Sequence, residues 1–238
     1  MLPGNYTSQN SQSTVSGIYY VGMGTVTGTD VSTITSITYP YPSGIQAGDI
    51  LVLIDHEDDN GSHCTWPPSG WTNLYTPSTS GGFWIRAAYK VHTTGTSMSL
   101  VGPGSALDHS FGTVIAFRGV NTSSPLAATT LNDFTRSTGG GNPFSFTNVT
   151  TTVDKAYVCN IIGHDIDTST ASVTFTANTS LSATSRGELL DISTQLGWNG
   201  GFGVYGGIKD TAGVVNNCAG SIKADSYKRM IAFALKPA

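Results

Sequence analysis

The sequence predicts an all-β fold, a two-sheet β-sandwich of jelly-roll type, and three observations carry that prediction. Ser and Thr form about a quarter of the 238 residues, and 29 more are Gly. Thr suits a pleated sheet, while Ser, Gly and Asn suit turns, so the mixture favours strands over helices. Short apolar or alternating runs recur along the whole chain, each bounded by Gly, Pro, Asn, Asp or Ser. About eleven such runs, with little helical periodicity between them, argue for a sandwich or jelly roll.

Taken in order, residues 1–28 are polar and Gly-rich, with one strand-like run at 18–21, and read as an N-terminal arm or an edge strand. The single β-sandwich domain then occupies 29–238. Its strands are expected at 34–39, 49–55, 71–75, 83–91, 97–101 and 111–117, then at 144–147, 155–162, 172–176, 201–208 and 229–235. One helix competes with a strand at 185–196. There Ser185 and Glu188 fit a capping box, and Leu189, Ile192 and Leu196 follow at helical spacing, against Gly187 and Thr194. The runs Ile50 to Ile54 and Ile231 to Leu235 are apolar without alternation, as in strands covered on both faces.

The chain also reads as two similar strand sets, about 29–120 and 144–238, joined by a Ser/Thr/Gly-rich connector at 121–143. In each set an apolar strand runs into a His-acidic cluster, His56-Glu57-Asp58 or His164-Asp165. In each set, too, an Ile-Ala-Phe strand closes the unit, at 115–117 and 231–233.

Charge narrows the function classes. Lys and Arg number 11 against 15 acidic residues, and charged residues are 11% of the chain, less than half the usual share of about 25%. No basic run exists to neutralise phosphates, so nucleic acid is excluded as a main partner. No apolar stretch reaches the roughly 20 residues of a helical membrane span. The opening Met1-Leu2-Pro3-Gly4-Asn5 lacks the basic and apolar regions of a secretion signal. The expectation is a chain that avoids that route, such as one assembled into a phage particle released by lysis. Cys64, Cys159 and Cys218 are too few for a disulfide framework and read as small buried side chains. The Asn-X-Ser/Thr sites carry no weight in a chain so rich in Ser and Thr.

Four pieces in the first half resemble a family pattern: Gly48-Asp49-Ile50-Leu51-Val52, Pro68-Ser69-Gly70-Trp71, Tyr89-Lys90-Val91, and Ala116-Phe117-Arg118-Gly119-Val120. The pattern is similar to a poorly characterised module of phage structural proteins and bacterial surface proteins. It covers 48–120 well and the second half loosely. The resemblance implies a β-sandwich displayed on a virion or cell surface, and it carries no catalytic residues.

Motifs for chemistry are few. Gly201-Phe202-Gly203-Val204-Tyr205-Gly206 matches a dinucleotide fingerprint in letters, but no helix is expected after it. Asp108-His109-Ser110 has the residue types of a catalytic triad, but adjacent residues cannot form the relay. The acidic residues Asp55, Glu57, Asp58 and Asp59 follow one strand, and Asp165 and Asp167 follow its counterpart. On irregular loops such oxygens suit calcium, with solvated turns as the plain alternative. The same carboxylates admit a glycosidase pair, and His56, His63 and Cys64 have zinc-ligand types without a familiar spacing. Aromatics give a glycan-binding candidate at Trp66, Trp198, Asn199 and Tyr205, where flat rings beside amides suit sugar faces, against the commoner role of such rings in cores.

The function expected is therefore non-enzymatic: a virion structural or surface protein such as a head decoration, fibre or receptor-binding component. Its expected place is the virion surface, with an extracellular or cell-surface setting as the alternative. Its partners would be other virion proteins, further copies of itself with a trimer favoured, and a cell-surface glycan. No cofactor beyond calcium is expected. Two alternatives stand beside this: a carbohydrate-binding module, and a glycan-cleaving enzyme on a sandwich fold.

Overall fold

The structure is a computed structural model. It describes residues 17–29, 34–58, 63–75, 83–102, 104, 109–137, 142–165, 173–193, 200–223 and 226–238, without the side chains of 58, 129–137, 193 and 226. The described residues form strands and no helix. The strands of the first half are β1 (Tyr19–Met23), β2 (Thr27–Thr29), β3 (Ser36–Pro40), β4 (Ile50–Asp58), β5 (Thr72–Tyr75), β6 (Phe83–Val91), β7 (Ser97–Val101) and β8 (Ser110–Arg118). Those of the second are β9 (Leu126–Ser137), β10 (Pro143–Ser145), β11 (Val149–Thr151), β12 (Ala156–His164), β13 (Val173–Thr176), β14 (Gly187–Ser193), β15 (Gly201–Lys209), β16 (Gly213–Val215), β17 (Ala219–Ile222) and β18 (Ser226–Leu235).

Two antiparallel sheets make the sandwich. The first runs β1-β8-β4-β6-β5, with β2 also on β8, and the second runs β9-β18-β12-β15-β14. Each therefore has its apolar strand, β4 or β12, at the centre, between the closing strand and the Tyr-bearing one. The Ile-Ala-Phe words take matching places. Ile115 pairs with Val52 and Ile231 with Ile161. Ile115, Phe117, Ile231 and Phe233 all enter the core between the sheets. That core also takes Ile50, Val52, Ile54 and Phe111 from the first sheet, and Tyr157, Cys159, Phe202 and Val204 from the second.

The alternate residues of these strands are apolar too, so each sheet needs a second cover. Leu51, Leu53, Ala88, Val114 and Ala116 pack under the two-stranded β3–β7 sheet through Ile37, Tyr39, Met98 and Leu100. Val158, Ile162, Met230, Ala232 and Ala234 pack under β10-β17-β13 and β11-β16 through Phe144, Val149, Val173, Val215 and Ile222. Four layers result, and the unbroken apolar runs follow from burial on both faces.

Two expectations change. Residues 185–196 are not helical where described: Arg186 N and Ser185 N donate to Ser182 O in a single turn, and β14 begins at Gly187. Pairing with β15 and burial of Leu190 in the central core outweigh the local helical spacing. The stretch 121–143, polar enough to read as a connector, contains β9, the longest strand, paired along β18. The 18–21 run is an edge strand, β1.

The glycines of β15 serve packing. A Cβ on Gly206 would lie 2.7 Å from the Tyr157 ring, which is fixed in the core. Gly206→Ala should therefore lower stability by about 1–3 kcal/mol through overpacking, read by urea unfolding. No loss would mean that Tyr157 moves aside freely.

Candidate functional site

The polar residues with chemical potential gather at one end of the sandwich, around the C-terminal ends of β4 and β12. Alternation along β4 splits them between its two faces. Asp55 and Glu57 face outward, toward the cover, and His56 faces the second sheet.

On the outer face, Arg86 of β6 stands opposite Asp55 in register. Its Nη2 donates to Asp55 Oδ2 at 2.6 Å and to Glu57 Oε1, and its Nη1 donates to the Cys64 carbonyl at 3.1 Å. Tyr39 Oη donates to Asp55 Oδ1 at 2.6 Å, and Ser110 Oγ donates to the same oxygen at 3.2 Å. The Cys64 amide donates to Glu57 Oε1, and His63 Nδ1 lies 3.2 Å from Glu57 Oε2. Asp55, Glu57 and Arg86 are fully buried. The guanidinium also lies 4.4 Å from the Trp66 ring, whose Nε1 donates to Asn73 Oδ1 at 2.9 Å. The cluster thus pins the loop from His63 to Trp71 onto the sheet.

One cation serves two buried carboxylates, so they titrate differently. Burial pushes the Asp55 carboxyl up to about 6, with Arg86 opposing and Glu57 adding repulsion. Burial alone would raise Glu57 as well, but the bonds from His63, Arg86 and Cys64 hold it below its ordinary range. Burial, then the charges of Asp55 and Glu57, pushes the Cys64 thiol up. Tyr39 is raised for the same first reason, which keeps it a donor.

On the inner face, His56 is stacked between Phe83 and Phe111, with ring centroids 4.9 and 4.6 Å away. Its Nε2 lies 3.1 Å from the carbonyl oxygen of His164, a hydrogen bond from one sheet to the other. His109 stacks at 6.2 Å. Gly200 closes the end, since a Cβ there would meet the His56 ring at 2.6 Å. Burial, then His109, drives His56 well below the usual imidazole range, and burial holds His164 at about 4. Arg229 of β18 adds a second cross-sheet link, Nε donating to the Phe83 carbonyl at 2.8 Å. In the other cover, buried Lys228 donates to the Pro143 carbonyl at 2.6 Å, much as Arg86 reaches Cys64.

The expected site residues are redistributed accordingly. Asp55 and Glu57 are not on an irregular loop: they lie within β4, because the strand continues to Asp58 and a cation waits opposite. Asp58 ends that strand, with its side chain outside the description. Asp165 is half-buried and accepts the Tyr227 amide at 2.9 Å, and Asp167 lies outside the described residues. Among the described residues no group of three or more His, Cys, Asp or Glu side chains could hold a metal ion. His56 does not join His63 and Cys64, because it faces the opposite side of the sheet. Ser110 turns to Asp55, while His109 stacks on His56. Trp66 is half-buried at the surface of its loop, but Tyr205 is core, its hydroxyl accepting the Asn178 amide. Trp198 and Asn199 lie outside the described residues. The three cysteines are free and buried. The sequence reading missed Arg86, Arg229 and Lys228 as the organising cations. Their signal was a basic residue inside an otherwise apolar strand, as in Phe83-Trp84-Ile85-Arg86-Ala87. No family model, curated protein or solved structure matches the chain.

Proposed function

We propose that this is a non-enzymatic structural protein of a particle or cell surface, with a phage virion as the favoured setting. One observation carries the reading: the Asp55–Glu57–Arg86 cluster and the His56–His164 pair are turned inward, while the described strands of both outer covers present uncharged faces. On the β3–β7 cover the exposed side chains are Ser36, Thr38, Ser97, Ser99 and Val101. On the other cover they are Pro143, Ser145, Thr150, Thr174, Thr176 and Val214. Asp55, Glu57, Arg86, His56 and His164 are all buried and serve to join layers. Flat faces of small hydroxyls lose little side-chain entropy and carry no charge to desolvate when they pack against another protein. The resemblance of 48–120 to the phage and surface module supports the same reading.

The test is to raise antibody to the purified chain and label particles from the source culture for electron microscopy. Regular labelling of a particle is the expected result. Absence of label, with turnover of a glycan polymer that Asp55→Asn abolishes, would overturn the reading in favour of an enzyme.

A further inference from the structure

Of the described lysines only Lys228 is buried, with 1% of its surface exposed. It stands in register opposite His164 of β12, two residues before Met230. It therefore shares the outward face of the second sheet with Met230, Ala232 and Ala234, under the cover. Its amine donates to the Pro143 carbonyl at 2.6 Å. Under the other cover, buried Arg86 meets two carboxylates. Lys228 instead reaches a piece of chain that carries a carboxamide, Asn142.

Asn142 directly precedes Pro143 and is fully buried. Its carbonyl accepts the Ile222 amide at 2.9 Å, which extends the β10–β17 ladder by one pair. Along β10, Pro143 and Ser145 are exposed and Phe144 lies in the outer core. Alternation turns Asn142 the way of Phe144, down toward the sheet from which Lys228 rises. Burial holds His164, opposite Lys228, at about 4, so it brings no second positive charge beside the amine. A primary amine and a carboxamide held side by side, away from water, are the two reactants of an amide exchange. Such confinement makes the step effectively unimolecular.

We propose that Lys228 and Asn142 form a side-chain amide cross-link, which fastens the second outer cover to β18. The Nζ lone pair attacks Asn142 Cγ and forms the new C–N bond. A proton passes from Nζ to Nδ2, the Cγ–Nδ2 bond breaks with its electron pair going to nitrogen, and ammonia leaves. Where the lysine begins as ammonium, its extra proton departs with the ammonia as ammonium ion. No oxidant or further reactant is consumed. Attack requires the amine at roughly 3–3.5 Å from Cγ, a shift from the adjacent carbonyl that rotation about the lysine side-chain bonds supplies. The product replaces a buried cation, costly to keep from water, with an uncharged amide. This goes beyond the surface-protein reading and does not depend on it.

The experiment is intact-mass spectrometry of the purified full chain. The wild type should be lighter than its sequence requires by one ammonia, and Lys228→Met should have its full sequence mass. A proteolytic digest of the wild type should contain one branched peptide joining the segments that hold Asn142 and Lys228. Should the variant not fold, that branched peptide decides. A wild type at full sequence mass, an ammonia loss that persists in Lys228→Met (a cyclised asparagine elsewhere), or a digest without the branched peptide would each overturn the cross-link. The labelling experiment fails or succeeds independently, because it reads the particle and not the covalent state of the chain.

Discussion

Arg86→Met is expected to lower the unfolding free energy by about 3–5 kcal/mol, since removing one partner of a buried ion pair strands the other charge. Here the guanidinium faces two carboxylates, Asp55 and Glu57, both without access to solvent. The residual bonds from Tyr39, Ser110, Cys64 and His63 soften the loss but supply no full positive charge in place of the guanidinium. The triple variant Asp55→Asn, Glu57→Gln, Arg86→Met should recover part of the loss, because uncharged amides of similar shape remove the repulsion. Urea unfolding at neutral pH measures both. A loss under about 1 kcal/mol for Arg86→Met would place the cluster in the class of solvent-screened pairs. The same variant should change Trp66 fluorescence, as its ring loses the guanidinium 4.4 Å away.

Acid should weaken the joint between the sheets through its neutral histidines. His56 and His164 are held below the unfolded imidazole value, so below pH about 6.5 the unfolded chain binds protons that the fold refuses. The stabilising contribution is full above that pH and is lost as pH falls toward the folded values. Each such histidine costs about 1.4 kcal/mol per pH unit, or about 2 kcal/mol between pH 6.5 and 5. Asp55 works the other way: raised to about 6, it takes up its proton in the fold first and adds stability over the same range. The histidine contribution is therefore read as a difference. His56→Phe keeps the stack between Phe83 and Phe111 but gives up the bond to the His164 carbonyl. It should be less stable than wild type at pH 7.5, and the gap should close by about 2 kcal/mol on going to pH 5. A gap that stays constant across the range would mean that His56 titrates normally in the fold.

These expectations rest on different levels of the chain. Composition, strand-like runs and turn residues were enough to determine an all-β sandwich, because period-two burial and turn chemistry are local properties. The apolar run from Ile50 to Ile54 announced a strand covered on both faces, and the two Ile-Ala-Phe words marked equivalent closing strands. The sequence could not place β9 or β14. β9 is polar and is held by its long pairing with β18, and β14 carries helix-like spacing that pairing with β15 overrides.

The candidate site was legible only as residue types. That Asp55 and Glu57 are sealed on one face of β4 while His56 crosses to the second sheet follows from alternation, once the strand is known to continue to Asp58. That Arg86 lies against the two carboxylates depends on the β4–β6 register, which is set between strands about thirty residues apart. The burial of Tyr205 was likewise hidden. Its word, Val-Tyr-Gly-Gly, resembles the Tyr-Lys-Val of β6, yet Tyr89 packs on the core between the sheets and Tyr205 in the outer one. A one-residue difference in register moves a side chain to the opposite face of a sheet, and only the tertiary pairing fixes register.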